Sequence, residues 1–220
     1  MPGITRRALS LTAGGLLLAA ATGPAQAQDT RSYILSTATT GGTYYPVGVA
    51  LATLVKVKLE PKQKVSMSAI SSAGSGENVK LLREDQAQFA ILQGLFGAYA
   101  WNGTGQVEAE GKQEHLRSVT MLWQNVEHFV VDKDMVDTGT VGDLAGFGGE
   151  PFSIGARNSG TEGSGRQIFK GLGIDPDTTF DVVHMGYSPS AEALQNGTVK
   201  GANLPAGPPV TAVSQAFAAR

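Results

Sequence analysis

The sequence lacks cysteine altogether, so neither a disulfide framework nor a lipid anchor on cysteine is possible. It also lacks an excess of basic residues, with 17 Lys and Arg against 19 Asp and Glu, and this balance argues against nucleic-acid binding. After the first 27 residues, no apolar run is long enough to cross a bilayer. We therefore expect an ordinary hydrophobic core, with no nucleic acid among the partners.

The first 27 residues have the pattern of a secretory signal peptide. Arg6 and Arg7 supply a positive region, residues 11–21 are a short apolar run, and residues 25–27 form a small-residue cleavage site. We expect export to the periplasm with cleavage near Ala27, by either the general or the twin-arginine route. The remaining 193 residues would carry 15 basic and 19 acidic residues, a formal charge of −4.

Two similar segments stand 118 residues apart, at 40–43 (Thr-Gly-Gly-Thr) and 158–161 (Asn-Ser-Gly-Thr). Each follows a short, partly apolar run and precedes a segment that can become a helix. A strand, a small polar turn and a helix start expose backbone N–H groups at the positive end of the helix, which suits an anion. The pair suggests two lobes facing one ligand, and two ordinary capped helix starts are the alternative.

Apolar spacing along the rest of the chain predicts strands alternating with helices. The predicted strands are 31–38, 64–70, 88–92, 116–122, 127–131, 152–155, 180–185 and 199–204. The predicted helices are 45–58, ended by Pro61; 77–83, capped by Ser75; 95–101; 159–172, capped by Ser159 with Glu162 in a capping box; 188–195; and 210–219. This alternation predicts an α/β fold with mostly parallel sheets and helices on their faces.

Four segments resemble the TAXI-type solute receptors of tripartite ATP-independent periplasmic (TRAP) transporters. They are 39–46 (Thr-Thr-Gly-Gly-Thr-Tyr-Tyr-Pro), 71–79 (Ser-Ser-Ala-Gly-Ser-Gly-Glu-Asn-Val), 154–162 and 206–209, and the resemblance covers about 33–213. It implies a two-lobe, type II-like periplasmic-binding-protein fold with a hinge. It also implies capture of a glutamate-like amino acid or dicarboxylate, which is presented to the membrane subunits of a TRAP transporter.

The presequence pattern and the restart of the strand and helix pattern after Asp132 set the expected domain boundaries. We expect the signal peptide at 1–27, lobe 1 at 28–127 and lobe 2 at 128–220, with the second lobe inserted after the first. Receptors of this family usually run longer and return to lobe 1, so the chain looks truncated at its C-terminus. Arg157 and Gly94 stand where the family carries other residue types. We expect a monomer.

The candidate ligand contacts are donors on the two turns and on the loops between them. Hydrogen bonds to a charged solute contribute roughly 1.5–3 kcal/mol each, and micromolar binding requires about 8 kcal/mol, so a few donors suffice. Structural roles remain open for several of them, such as a helix cap for Thr43 or a solvated side chain for Arg157. The candidates are Gly42, Thr43, Tyr44, Ser72, Asn78, Gln93, Arg157, Ser159, Gly160, Thr161 and Gly207.

Enzyme motifs are poor in this sequence. His115, His128 and His184 fall in no metal-binding spacing, and neither a Walker A loop nor Gly-x-Ser-x-Gly occurs. We therefore predict a binding protein without catalytic residues, metal or cofactor. Two alternatives stay open: an enzyme on a similar two-lobe fold, and a truncated receptor remnant that no longer binds.

Overall fold

The computed structural model describes residues 29–218, and the predicted signal peptide lies outside that range. Asp29 and Thr30, the described end of the unit Met1–Thr30, are exposed and have no regular structure. Residues Arg31–Arg220 form one compact unit. Within it we call residues 31–127 the first half and residues 128–218 the second half.

The first half is built on a three-stranded parallel sheet in the order β2-β1-β3. Its strands are β1 (Arg31–Ser36), β2 (Val65–Ile70) and β3 (Phe89–Ala90). Its helices are α1 (Tyr44–Gln63), α2 (Ser75–Arg83) and α3 (Gly94–Asn102), followed by a 3-10 helix at Gly105–Glu110. Each α-helix begins shortly after a strand ends, so the helix N-termini gather at one edge of the sheet.

The second half is built on a four-stranded sheet in the order β4-β7-β5-β6. Its strands are β4 (Phe129–Val131), β5 (Pro151–Ser153), β6 (Asp181–Val183) and β7 (Gly201–Asn203). Its helices are α4 (Gly160–Gly171), α5 (Pro176–Thr179), α6 (Tyr187–Gln195) and α7 (Thr211–Ala218), with 3-10 helices at Lys133–Met135 and Val141–Gly146. β5 is parallel to both neighbours, whereas β4 is antiparallel to β7, so this sheet is mixed.

The second half has the larger hydrophobic core. Phe152 stacks on Phe180 with ring centroids 4.6 Å apart, and Phe147 and Phe169 meet these rings edge-on or tilted. A second cluster packs α6 and α7 against β7. The main cluster of the first half is smaller and centres on Phe96.

The predicted α/β fold is confirmed, but the strand predicted at 116–122 is wrong. This segment has no regular structure, and Val119 and Met121 are 78% and 88% exposed. Its residues favour a strand, yet a strand needs a paired neighbour, and none pairs with it among the described residues. No helix in the described range combines the length and apolarity needed to cross a bilayer.

Two helix boundaries also differ from the prediction. α1 continues through Pro61 to Gln63 and is followed by the capping residue Lys64, which adopts a left-handed conformation with φ of 55°. A proline in the last turn removes only one hydrogen bond, so the helix tolerates it. Ser75 is the first residue of α2 rather than its cap, and its hydroxyl accepts the Gln93 N–H at 3.0 Å.

Candidate functional site

One cavity lies where the two halves meet, and five helix starts line it. The contributing residues are Thr43 and Tyr44 for α1, Gly74 and Ser75 for α2, Gln93 for α3, Ser159, Gly160 and Thr161 for α4, and Tyr187 for α6. The first N–H groups of a helix have no partner within it, and each helix start carries about half a positive charge. The lining contains no lysine, arginine or histidine, so its hydrogen-bond donors are backbone N–H groups, hydroxyls and side-chain amides.

The cavity is small in this conformation. Its volume is about 20 Å³. A single buried water needs roughly 10–15 Å³. An organic solute can therefore enter only if the two halves move apart.

The α1 side of the cavity is held by a hydrogen bond to the second half and by a ring contact within the first half. Thr43 does not cap α1, because its hydroxyl donates to the carbonyl of Gly207 at 2.8 Å. The ring of Tyr44 packs edge-on against Trp123, with centroids 5.7 Å apart. Burial raises the pKa of Tyr44 to about 12, so its hydroxyl stays protonated at neutral pH and can donate to an anion.

The α4 side confirms the predicted helix cap. The Ser159 hydroxyl accepts the Glu162 N–H at 3.0 Å, and the Glu162 carboxylate accepts the Asn158 N–H at 3.0 Å. The serine bond of the capping box is therefore as predicted, whereas the return bond from Glu162 goes to Asn158, one residue before the cap. The Thr161 hydroxyl lies 3.1 Å from the hydroxyl of Tyr187, and these two groups form the floor on this side.

Tyr187 was not among the predicted site residues. Its hydroxyl donates to the carbonyl of Pro205, which also lines the cavity. Burial raises the pKa of Tyr187 above its usual range, so this phenol is neutral too. The signal was present in the sequence, since the helix predicted at 188–195 follows a strand as the other helix starts do.

The two halves also contact each other beside this cavity. The Glu77 N–H donates to the carbonyl of Asn158 at 3.1 Å. A Cβ on Gly76 would lie 2.4 Å from that carbonyl oxygen, which is backbone and cannot turn aside. Glycine is therefore required at position 76 for this contact to form. A Cβ on Gly160 would lie 2.7 Å from the Gln93 side chain, which can shift.

Two predicted contacts, Ser72 and Asn78, lie outside the cavity. Asn78 is fully buried, and its amide donates to the carbonyls of Thr37 and Ile91 at 2.7 and 2.9 Å. Its side-chain oxygen accepts from the hydroxyls of Ser36 and Ser72. These bonds join β1, α2 and β3, so the geometry gives Asn78 and Ser72 a structural role.

Arg157 also lies apart from the first cavity. It lines a second cavity of about 320 Å³ with Lys80, Glu77, Glu84 and Glu110. Glu110 forms an ion pair with neighbouring Arg83 at 2.6 Å, so the charges around this second cavity nearly balance. Gly207 is the last predicted contact outside the first cavity, and it packs against Trp123.

Two further polar groups distinguish the site. The Gln93 side-chain oxygen is buried and has no hydrogen-bond partner within residues 29–218. Glu127 lies near enough to Tyr44 and Tyr187 to raise the pKa of both. Burial raises the pKa of Glu127 itself, and hydrogen bonding from Ser164 and Asn203 opposes that rise.

A sequence model of the NMT1-like family matches residues 35–220. The chain belongs to the NMT1-like family. That match spans both halves and all five helix starts that line the cavity. It does not reach the finer level of the TAXI receptors, which stays a prediction.

The fold is similar to that of several solved binding proteins of ABC transporters. A phosphonate-transporter component from Pseudomonas aeruginosa gives a TM-score of 0.54 at 14% identity, over 80% of this chain and 58% of that one. The alkanesulfonate-binding protein SsuA from Xanthomonas axonopodis pv. citri gives 0.51 at 10%, over 81% and 55%. The tungstate ABC transporter from Geobacter sulfurreducens gives 0.50 at 17%, over 86% and 76%.

Likeness at these identities shows the fold alone, and it confirms the periplasmic-binding-protein-like prediction. This chain spans little more than half the length of two of those three proteins.

Proposed function

We propose that the protein is a solute-binding receptor that holds a small organic anion between its two halves. The observation that carries the proposal is the convergence of five helix starts on one cavity. A single helix start contributes about 0.3–1 kcal/mol to binding an anion, and up to about 2 kcal/mol in a partly buried site. Several starts acting together, with the hydroxyls of Tyr44 and Thr161, can supply micromolar affinity without an arginine.

Binding would proceed by closure of a hinge. In this account the predicted lobes 28–127 and 128–220 separate to admit the solute and close to surround it. The cavity of about 20 Å³ then corresponds to a closed shape. A solute stabilises that shape only through contacts that it makes to both halves at once.

The resemblance to TAXI receptors supports the finer parts of the proposal. The solute would be a glutamate-like amino acid or a dicarboxylate, captured in the periplasm after export. The closed receptor would deliver it to the membrane subunits of a TRAP transporter. The related folds include phosphonate- and sulfonate-binding proteins, so both anion types belong in any ligand screen.

Isothermal titration calorimetry tests the proposal directly. Glutamate, glutamine, 2-oxoglutarate, a phosphonate and a sulfonate would be titrated into the wild type, Tyr44→Phe and Thr161→Val. Each variant removes one donor from the cavity, so we expect about tenfold weaker binding or more. Arg157→Gln and Lys80→Gln, which alter only the second cavity, should bind as the wild type does.

Three results would contradict the proposal. If the heat of binding disappears in Arg157→Gln but persists in Tyr44→Phe, the solute binds in the second cavity and not in the first. The absence of heat with every anion would favour the remnant that no longer binds. Turnover of a phosphorylated or carboxylated metabolite would instead favour the enzyme.

A further inference from the structure

The outer face of α1 exposes several apolar side chains. Only Gly48 and Ala52 of this 20-residue helix are buried. Leu54 and Val57 are 54% and 62% exposed. A surface helix normally turns its apolar stripe to the core and its charges to water, so α1 reverses the usual arrangement.

The exposed apolar residues form one continuous stripe. Ala50, Leu54, Val57 and Pro61 recur at helical spacing on the side opposite Gly48 and Ala52. All four are exposed, and none is charged. We call these four residues the outer stripe.

Lysines surround the C-terminal part of the outer stripe. Residues 56–64 contain four lysines and one acid, Glu60, and all four lysines are exposed. The lysines form no ion pair with any residue in the described range. This stretch carries a net charge of +3 in a chain whose overall formal charge is −2. The surface is therefore a local basic and apolar patch on an acidic protein.

We propose that this face of α1 adsorbs to the headgroup region of an anionic phospholipid membrane. The exposed lysines match the negative charge of the headgroups, and the outer stripe can enter the boundary with the acyl chains. The long lysine side chains keep their ammonium groups at the headgroups while their stems lie beside the apolar residues. The outer stripe itself contains no acidic residue that would oppose contact with lipid.

The composition of the face favours lipid over a protein partner. Protein interfaces are enriched in tyrosine, tryptophan and arginine and depleted in lysine. Residues 46–64 contain four lysines and no aromatic residue or arginine. The patch thus has the charge for a membrane surface without the anchors typical of a protein interface.

The use of this face rests on the proposed function, but its existence does not. A receptor adsorbed to the membrane would diffuse along its surface, so it would search for its transporter subunits in two dimensions rather than three. Binding to lipid needs no solute, so failure of the solute titrations would leave this inference standing. Failure of lipid binding would likewise leave the solute site untouched.

Vesicle sedimentation tests the inference. The protein is recovered from the exported fraction, and its N-terminus is checked by mass spectrometry. It is then mixed with vesicles of phosphatidylcholine, or of phosphatidylcholine and phosphatidylglycerol in equal parts. We expect binding only to the second kind, with release as the salt rises to about 0.5 M, where charges are screened beyond a few ångströms. Lys56→Gln with Lys58→Gln should weaken binding about twentyfold, since each lysine contributes about fivefold.

Matched variants separate this face from general stickiness. Leu54→Ser with Val57→Ser should weaken vesicle binding roughly tenfold, because less apolar area enters the boundary. Lys133→Gln with Lys170→Gln, and Met121→Ser at an 88% exposed site, should leave it unchanged. Equal binding by all variants, or no binding to anionic vesicles, overturns the inference. Loss of binding to transporter subunits alone, in the α1 variants, would also overturn it and assign the face to a protein.

Discussion

The two halves of the molecule both contribute to the lining of the two cavities but are packed very differently. Within the described range, 17 buried hydrophobic residues belong to the second half and eight to the first. The first half leaves more large apolar side chains in water, among them Leu54, Val57, Trp101 and Met121. The second half instead gathers four phenylalanines into one buried cluster, namely Phe147, Phe152, Phe169 and Phe180.

This difference indicates where stability and motion reside. Regions with few buried apolar contacts open locally at lower free energy than a dense core. We therefore expect the second half to be the more rigid side of the site and the first half to be the side that opens more easily. Such a division suits a site that must open to admit a solute and close around it.

The largest expected effect comes from breaking the aromatic cluster. Phe152→Ala removes a fully buried ring that contacts Phe147, Phe169 and Phe180. We expect the free energy of unfolding to fall by about 3–5 kcal/mol, measured by urea denaturation. Phe217→Ala, at a 63% exposed site, should change it by no more than about 0.5 kcal/mol. Equal losses in the two variants would show that the aromatic cluster does not dominate the stability of the second half.

The junction between the halves gives the next largest effect. Gly76→Ala places a methyl group against the carbonyl of Asn158, so the contact must separate. We expect a loss of about 1–3 kcal/mol in the free energy of unfolding, with weaker solute binding. Gly97→Ala, in α3 with open space around it, should stabilise the protein by roughly 0.5–1 kcal/mol. A stabilised Gly76→Ala variant would mean that this contact does not define the folded shape.

The sequence predicted the turns of the site better than the residues that complete it. Thr43 and Ser159 each lie in a strand, turn and helix pattern, and that pattern is local. Whether Asn78 faces a solute or joins three elements depends on β1 and β3, which are distant in sequence. Tyr187 begins a helix that was predicted after a strand, but only the tertiary packing shows that its hydroxyl reaches the cavity.

The strand predicted at 116–122 failed for a related reason. Local composition reports the preference of a segment, whereas a strand also requires a partner at hydrogen-bonding distance. α1 shows a similar limit, because its apolar residues Leu54 and Val57 are exposed in the fold. Periodicity reveals that a helix has an apolar side, but only the packing decides which side faces the core.

A smaller effect, dependent on pH, sharpens the role of Glu127. Because burial raises its pKa, the folded protein retains this proton at a pH where the unfolded chain has lost it. The free energy of unfolding must then fall as the pH rises through the interval between the ordinary and the raised pKa. Glu127→Gln should remove that fall and stabilise the protein at neutral pH. Urea denaturation of both proteins across this interval measures it, and parallel profiles would contradict it.

The smallest effect concerns an ion pair at the surface of the second half. Arg166 contacts both carboxylate oxygens of Asp177, at 2.8 and 3.0 Å, and holds the pKa of Asp177 below its usual value. The Asp177 side chain is 62% exposed, so Asp177→Asn should cost no more than about 1 kcal/mol. This stabilisation is present above the ordinary pKa and disappears as the pH falls through the lowered one. A larger loss at neutral pH would contradict this and show that the ion pair stabilises the second half as strongly as a buried contact does.

A crystal structure of the exported protein with the tightest-binding anion tests the central claim most directly. The account predicts the anion in the cavity between the halves, with its charged group within hydrogen-bonding distance of the α1 and α4 helix starts near Tyr44 and Thr161. An anion bound by one half alone, or in the second cavity beside Arg157, would contradict it.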